Sequence, residues 1–147
     1  RLEEQEGRLQ AETLYSLDKT VFSCEQQTPI LYDGHLFCVL TNDAGAAKRE
    51  FACLDASGEL VWTSGRENRF GLGPFLLADG KIFILDDSGV LTMIEADSRG
   101  YRQLAQARVL EGRDAWAPMA IVEGRLLLRD SKRMICLDMR SGSEAPQ

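Results

Sequence analysis

Histidine occurs once in this chain, at His35, and the four cysteines are neither adjacent nor in a Cys-x-x-Cys spacing. A single imidazole excludes a histidine-based metal cluster within these 147 residues. The isolated cysteines carry no zinc-site or dithiol redox signature. No apolar run approaches the roughly 20 residues that a membrane-spanning helix needs. A glycine-rich phosphate loop, a G-x-S-x-G elbow and a nucleophile–base pair are all missing. There is no methionine at Arg1 and no signal-peptide pattern, which points to a processed or trimmed N-terminus.

What is present is an ordinary soluble composition, 44% apolar and 27% charged, long enough for one domain with a real core. Charge is unevenly spread. Residues 1–98 hold 8 basic and 17 acidic side chains, a net of −9; residues 99–140 hold 9 basic and 5 acidic, a net of +4. A nucleic-acid surface needs a dense basic stripe with interleaved aromatics. Here the basic residues from Arg99 to Arg140 are scattered among apolar strands and read as solvated faces. No nucleic-acid partner is expected.

The informative feature is a repeat. "TPILYDGHLFCVL" from Thr28, "GPFLLADGKIFIL" from Gly73 and "APMAIVEGRLLLR" from Ala117 align. Pro29, Pro74 and Pro118 are 45 and 44 residues apart, and Gly34, Gly80 and Gly124 are 46 and 44 apart. One residue is gained between Pro74 and Gly80, which a short turn can absorb. Each acid-Gly pair (Asp33-Gly34, Asp79-Gly80, Glu123-Gly124) marks a hairpin, because Gly accepts the positive φ of a tight turn. Proline suits the strand start, where a missing N–H costs least. Third strands follow at Phe51–Asp55, Val90–Glu95 and Met134–Asp138. Turns follow at Gly58, Gly100 and Gly142, and fourth strands at Glu59–Thr63 and near Tyr101–Val109.

One unit is therefore four short antiparallel strands in about 44 residues. Runs such as "KIFIL" and "RLLLR" are apolar at consecutive positions, which predicts strands covered on both faces. The expected fold is all-β, with the four-stranded blades of a β-propeller; a β-sandwich is the rival. The units are 28–65, 73–110 and 117–142, within a blade region 20–147, and a further outer strand is expected near Lys19–Cys24. About three blades do not close a ring, so a larger ring of about 7–8 blades is expected, completed by further blades or another chain. Residues 1–19, charge-rich and without a heptad seam, read as a linker or short helix.

"CLDASGELVW", Cys53 to Trp62, and "CLDMRSG", Cys136 to Gly142, resemble the quinoprotein-type, or PQQ-binding-like, propeller repeat, whose units end in apolar-Leu-Asp, Gly and Trp. "MIEADSRGYRQL" departs most: Glu95 replaces Asp and no Trp follows. The resemblance covers residues 20–142. It implies that Asp55, Gly58 and Asp138 are repeat positions and that Trp62 docks one blade on the next. It also implies an exported, periplasmic or extracellular protein of bacterial type. The family's enzymes hold PQQ with Ca²⁺ near a Trp and a disulfide between adjacent cysteines. This chain has no adjacent cysteines and no matching set of acids, so PQQ with calcium is expected only if other blades supply the ligands.

The repeat supplies controls for single residues. His35 aligns with Lys81 and Arg125 and reads as an exposed turn residue rather than a general base. Cys38 aligns with Ile84 and Leu128, and Cys53 and Cys136 with Met93, so these thiols read as buried apolar residues. If one disulfide forms, Cys38–Cys53 is expected, on neighbouring strands. "LDDSG", Leu85 to Gly89, reads as an Asx-type turn; its rival is a weak Ca²⁺ site or half of an acid–base pair. The loop "GRENRFGLG" holds Arg66, Asn68, Arg69 and Phe70, where an arginine beside an aromatic can clamp a carboxylate or a sugar face. With Arg113, Asp114 and Trp116 in the next such loop, it forms the expected rim patch for a protein or carbohydrate partner. The expected function is a non-catalytic binding or scaffold module. The alternative is the C-terminal part of a PQQ- and calcium-dependent alcohol dehydrogenase.

Overall fold

The computed structural model of the chain describes residues 1–140. Three sheets follow one another along the chain. The first is β3 (Ile30–Tyr32), β4 (His35–Val39), β5 (Phe51–Asp55) and β6 (Leu60–Thr63). The second is β7 (Phe75–Ala78), β8 (Lys81–Leu85), β9 (Val90–Glu95) and β10 (Gln103–Arg108). The third has three strands, β11 (Ala120–Val122), β12 (Arg125–Arg129) and β13 (Met134–Asp138). Every sheet is antiparallel in simple sequence order, with no strand crossing between sheets. A sandwich would mix strands of different units, so the rival reading is set aside. Gly142, the expected last turn, lies outside the described residues.

The hairpin turns follow from the acid-Gly pairs. Asp33, Asp79 and Glu123 have φ of 46°, 48° and 50°, and the glycines after them 71°, 67° and 74°. Two successive positive φ values make the turn whose twist suits a two-residue hairpin. The residue gained after Pro74 sits in the strand and not in the turn: β7 has four residues where β3 has three.

Two expectations for the N-terminal region are corrected. Residues 1–19 form no helix; β1 (Leu2–Gln5) and β2 (Arg8–Ala11) pair as an exposed hairpin. The cause is another acid-Gly pair, Glu6-Gly7, at φ 52° and 74°. Lys19–Cys24 is no strand either. The Asp18 carboxylate accepts from Thr20 N and Oγ, and its carbonyl from Val21 and Phe22 N, which curls the backbone into a turn. This stretch instead acts as a strap: Phe22 is buried, and Leu17 and Cys24 pack on the same cluster.

Strand alternation decides what packs where. On the second sheet, Ile82, Ile84 and Ile94 join a core shared with the first sheet. Phe83, Leu85 and Leu91, on its opposite face, join Leu110, Leu126 and Leu128 in a core shared with the third. The apolar run in β8 thus means burial on both faces, as expected. In "RLLLR" the expectation holds on one face only: Leu126 and Leu128 are buried, Leu127 is half-buried, and β13 alternates exposed and half-buried positions. No further sheet covers that side among the described residues.

The expected Cys38–Cys53 disulfide is excluded by register. Cys38 stands opposite Ala52, and Cys53 opposite Phe37. The offset of one residue sends the two thiols to opposite faces of the sheet. Cys38 meets Cys24 of the strap instead. Cys136 is exposed, against the expectation of burial, because it lies on the open side of the third sheet.

Candidate functional site

Since strands alternate in direction, the connections after the second and fourth strands of each sheet emerge at the same end. At that end lie loop 40–50, turn 86–89, turn 130–133, and the inter-sheet loops 64–74 and 109–119. Between the first two sheets they enclose an open groove of about 380 Å³, lined by Lys48, Arg49, Arg69, Asp86, Asp87 and Ser88.

The two carboxylates of "LDDSG" have different work. Asp86 closes the expected turn: its Oδ1 accepts from Ser88 N and Oγ at 2.8 Å and from Val90 N at 2.9 Å. Asp87 reaches outward. Its Oδ1 accepts Leu72 N at 2.8 Å and the indole Nε1 of Trp116 at 2.9 Å. One carboxylate thus ties together both inter-sheet loops that carry the predicted rim residues. The signal for it was in the sequence: the turn consumes one aspartate, and the second is surplus. Asp130 combines both tasks, accepting Lys132 and Arg133 N within its own turn and Gly112 N from the loop before it.

Trp116 is 39% exposed, and its N–H is held by Asp87. Arg69 lines the groove. Its Nη2 donates to Ala46 O at 3.0 Å and lies 3.9 Å from the buried Glu50 carboxylate. Arg66 is exposed at the loop tip. Asn68 serves its own loop, donating from Nδ2 to Ser64 O at 2.9 Å. Phe70 is a correction: it is 3% exposed and packs edge-on against Phe51, with centroids 6.3 Å apart, so it offers no surface to a ligand. Arg113 and Asp114 are exposed on the second loop, where Arg113 O accepts Ser131 Oγ at 3.3 Å; neither lines the groove.

Lys48 and Arg49 were missed. They close loop 41–50, ten residues long where the matching turns "DDSG" and "DSKR" have four, and that extra length was the available signal. Arg49 Nε donates to Asn42 Oδ1 at 2.7 Å. The groove thus brings three cations against two carboxylates that already have hydrogen-bond partners. It can grip a carboxylate or a polar chain by charge-assisted hydrogen bonds, with Trp116 as a flat apolar neighbour.

At the opposite end, Tyr32, Asp33 and His35 face Glu95, Asp97 and Arg99 across a second polar groove of about 450 Å³. His35 is half-buried there as the first residue of β4, not an exposed turn residue, and its Nδ1 lies 2.7 Å from Asp33 O. Trp62 spans the first two sheets: its Nε1 donates to Asp97 O at 3.1 Å and its ring meets Tyr101 at 6.3 Å. No group of three or more His, Cys, Asp or Glu that could hold a metal occurs among the described residues.

Turn carboxylates set the acid stability. The Arg99 guanidinium, with the Arg99 backbone N–H, holds Asp97 at about 2. Arg140 holds Asp138 well below the carboxylate range, Ser57 lowers Asp55, and the Lys132 and Arg133 N–H groups lower Asp130. A pKa lower in the folded chain than in the unfolded one means that acid protonates the unfolded chain first. This stabilisation is complete above the free aspartate value of about 4 and is lost as pH falls towards about 2. At the alkaline end the sign reverses. Burial, then Asp55 and Asp97, pushes Cys53 up to about 11, so stability falls as pH rises beyond the free thiol value of about 8.5. Thermal melts across pH should show a plateau with a fall at each end; an unchanged midpoint from pH about 4 to 2 would contradict the assignment.

No protein-family model matches the chain, and no curated protein sequence matches it. Solved structures do. A quinohemoprotein alcohol dehydrogenase from Comamonas testosteroni is 14% identical with a TM-score of 0.53, over 74% of this chain and 18% of that one. BamB from Moraxella catarrhalis is 10% identical with a TM-score of 0.50, over 82% of this chain and 46% of that one. The chain thus spans less than half the length of either. No helix among the described residues is long and apolar enough to cross a membrane. Successive antiparallel sheets, each sharing a core with the next, and these two likenesses lead to one conclusion: the chain has the PQQ-like β-propeller fold.

Proposed function

We propose that the chain is a non-catalytic propeller module, on the periplasmic or extracellular side of a bacterial envelope, that binds a partner protein through the groove between loops 41–50, 64–74 and turn 86–89. The observation that carries this reading is Trp116, an exposed indole whose N–H is locked by Asp87 at the edge of a groove lined by two arginines and a lysine. Tryptophan and arginine are the residues on which protein interfaces most often concentrate their energy. Both inter-sheet loops are held by one carboxylate, so the surface is preorganised and loses little entropy on binding.

The test places a photo-crosslinking residue at the exposed Arg66 of loop 64–74, and in a control at the exposed Leu31 of β3, in cells that make the protein natively. A single protein adduct at 66, absent at 31 and lost on Lys48→Glu, is the expected result. Trp116→Ala should then weaken binding of that partner by about tenfold or more. The melting temperature should hold, since Asp87 keeps its bond to Leu72 N. No adduct, or the same adducts at both positions, overturns the reading. Binding on a glycan array that Trp116→Ala abolishes would transfer the site to carbohydrate.

The likeness to a quinohemoprotein dehydrogenase supports a second reading, in which the chain is the C-terminal part of a PQQ- and calcium-dependent alcohol dehydrogenase. In this reading other blades of the full protein supply the ligands of PQQ and calcium. The full native protein, given PQQ, Ca²⁺ and an alcohol, would reduce an electron-acceptor dye; no cofactor binding at micromolar concentration would end this reading.

A further inference from the structure

The second sheet faces the third across a gap at the place where the first faces the second across a tryptophan. Register establishes the equivalence. In the first sheet Cys53 pairs with Trp62 and Ala52 with Thr63, and a bulge skips Val61. In the second, Met93 pairs with Ala105 and Thr92 with Gln106, and a bulge at the same point skips Leu104. Ala105 therefore stands where Trp62 stands. Trp62 occupies its slot, half-buried: its ring lies 6.1 Å from Phe37, 6.4 Å from Phe51 and 6.3 Å from Tyr101. At the next interface the counterparts of Phe37, Phe51 and Cys53 are Phe83, Leu91 and Met93; Phe83 and Leu91 are buried and Met93 half-buried, and the small side chain of Ala105 leaves a cleft beside them where the tryptophan would stand.

The result is an apolar cleft of about 290 Å³, closed on the far side by Leu137 and Met139. The two sheets have not simply separated, since Leu85, Leu110, Leu126 and Leu128 are packed and fully or almost fully buried between them. The lining takes three residues of β10, the last two of β13 and Met139 just after it, room for one ring rather than an extended peptide. An aromatic ring placed there would regain the dispersion contacts that the alanine forgoes and would leave water.

We propose that this cleft is a binding site for a small planar aromatic ligand of the indole class, separate from the rim groove, with which it shares no residue. The shape of the ligand is given by the chain itself, through the side chain that fills the matching slot one sheet earlier.

The test titrates indole into the whole protein carrying ¹³C-methyl methionine. Met93 and Met139 line the cleft, whereas Met119 and the exposed Met134 do not. Expected are saturable shifts of the Met93 and Met139 methyls with a Kd on the order of a millimolar or tighter, while Met134 stays still. Ala105→Trp supplies the ring covalently; it should abolish the indole response and raise the melting temperature by about 3 °C. Ala105→Phe is the fallback should the larger ring not fold. Unmoved Met93 and Met139 at saturating indole, equal shifts at all four methyls, or an undiminished response in the filled variant would each overturn the site.

Discussion

Phe51→Ala is expected to destabilise the protein by about 4 kcal/mol, the largest effect of any single core truncation in this chain. Phe51 has no exposed surface and meets four other rings. It lies 6.5 Å from Phe37, 6.4 Å from Trp62, 6.3 Å from Phe70 and 5.5 Å from Phe75 by centroid. Those partners come from β4, β6, the loop after β6, and β7 of the next sheet, so the ring is where the first sheet is joined to the second. Removing it leaves a cavity bounded by backbone already committed to hydrogen bonds, including Phe51 N to Ser64 Oγ at 2.9 Å and Ser64 N to Phe51 O at 2.8 Å. Collapse into the space is therefore restricted, which puts the cost near the upper end for such truncations. Domains of this size are stable by only about 5–15 kcal/mol, so a large part of the total would go. Urea denaturation measures it; Leu31→Ala, on an exposed strand position, should stay within about 0.5 kcal/mol and serves as the control. A loss below about 1.5 kcal/mol for Phe51→Ala would mean that the two sheets are not joined there.

Gly89→Ala is expected to cost about 3 kcal/mol, because two penalties coincide. Gly89 closes the turn after Asp86 with φ at +87°, where an alanine is strained by about 1 kcal/mol or more. A Cβ at Gly89 would also lie 2.4 Å from the carbonyl oxygen of Leu110 and 2.7 Å from its Cβ. Leu110 cannot retreat freely. It is fully buried, and Val109 N and Leu110 N both donate to Gly89 O, at 2.9 and 3.1 Å. An added methyl either breaks that pair of bonds or forces overpacking worth about 1–3 kcal/mol. Gly34→Ala separates the two causes. Gly34 has a similar positive φ of 71°, and a methyl added there would meet nothing within 4 Å, so only the backbone strain, about 1 kcal/mol, should appear. Equal losses at the two glycines in chemical denaturation would show that the contact with Leu110 contributes nothing.

How far the sequence could be read depended on whether a feature was local. Asp33-Gly34 and its two repeats are local devices, and their hairpins form where expected. So do β5, β9 and β13, each read to the residue. Glu6-Gly7 is the same device outside the repeat frame, and it produces a hairpin where a linker or helix had been expected. Phe70 shows the opposite limit. Beside Arg69 in a glycine-rich loop it looks like a surface aromatic, yet the loop folds back and seals the ring against Phe51. No pattern of neighbours in the chain could reveal that, because the partner lies across a sheet.

By itself, then, the sequence determined the strands of the three repeat units, the acid-Gly hairpins between them and the repeat of about 44 residues. Those depend on φ preferences and two-residue alternation, which act between neighbours in the chain. The tertiary structure alone decided that Asp87 gathers Leu72 and Trp116 into one surface, that Cys38 and Cys53 point apart, and that Ala105 opens a cleft. Each of these depends on which sheet face a side chain leaves and what stands across from it, and a one-residue change of register reverses the answer.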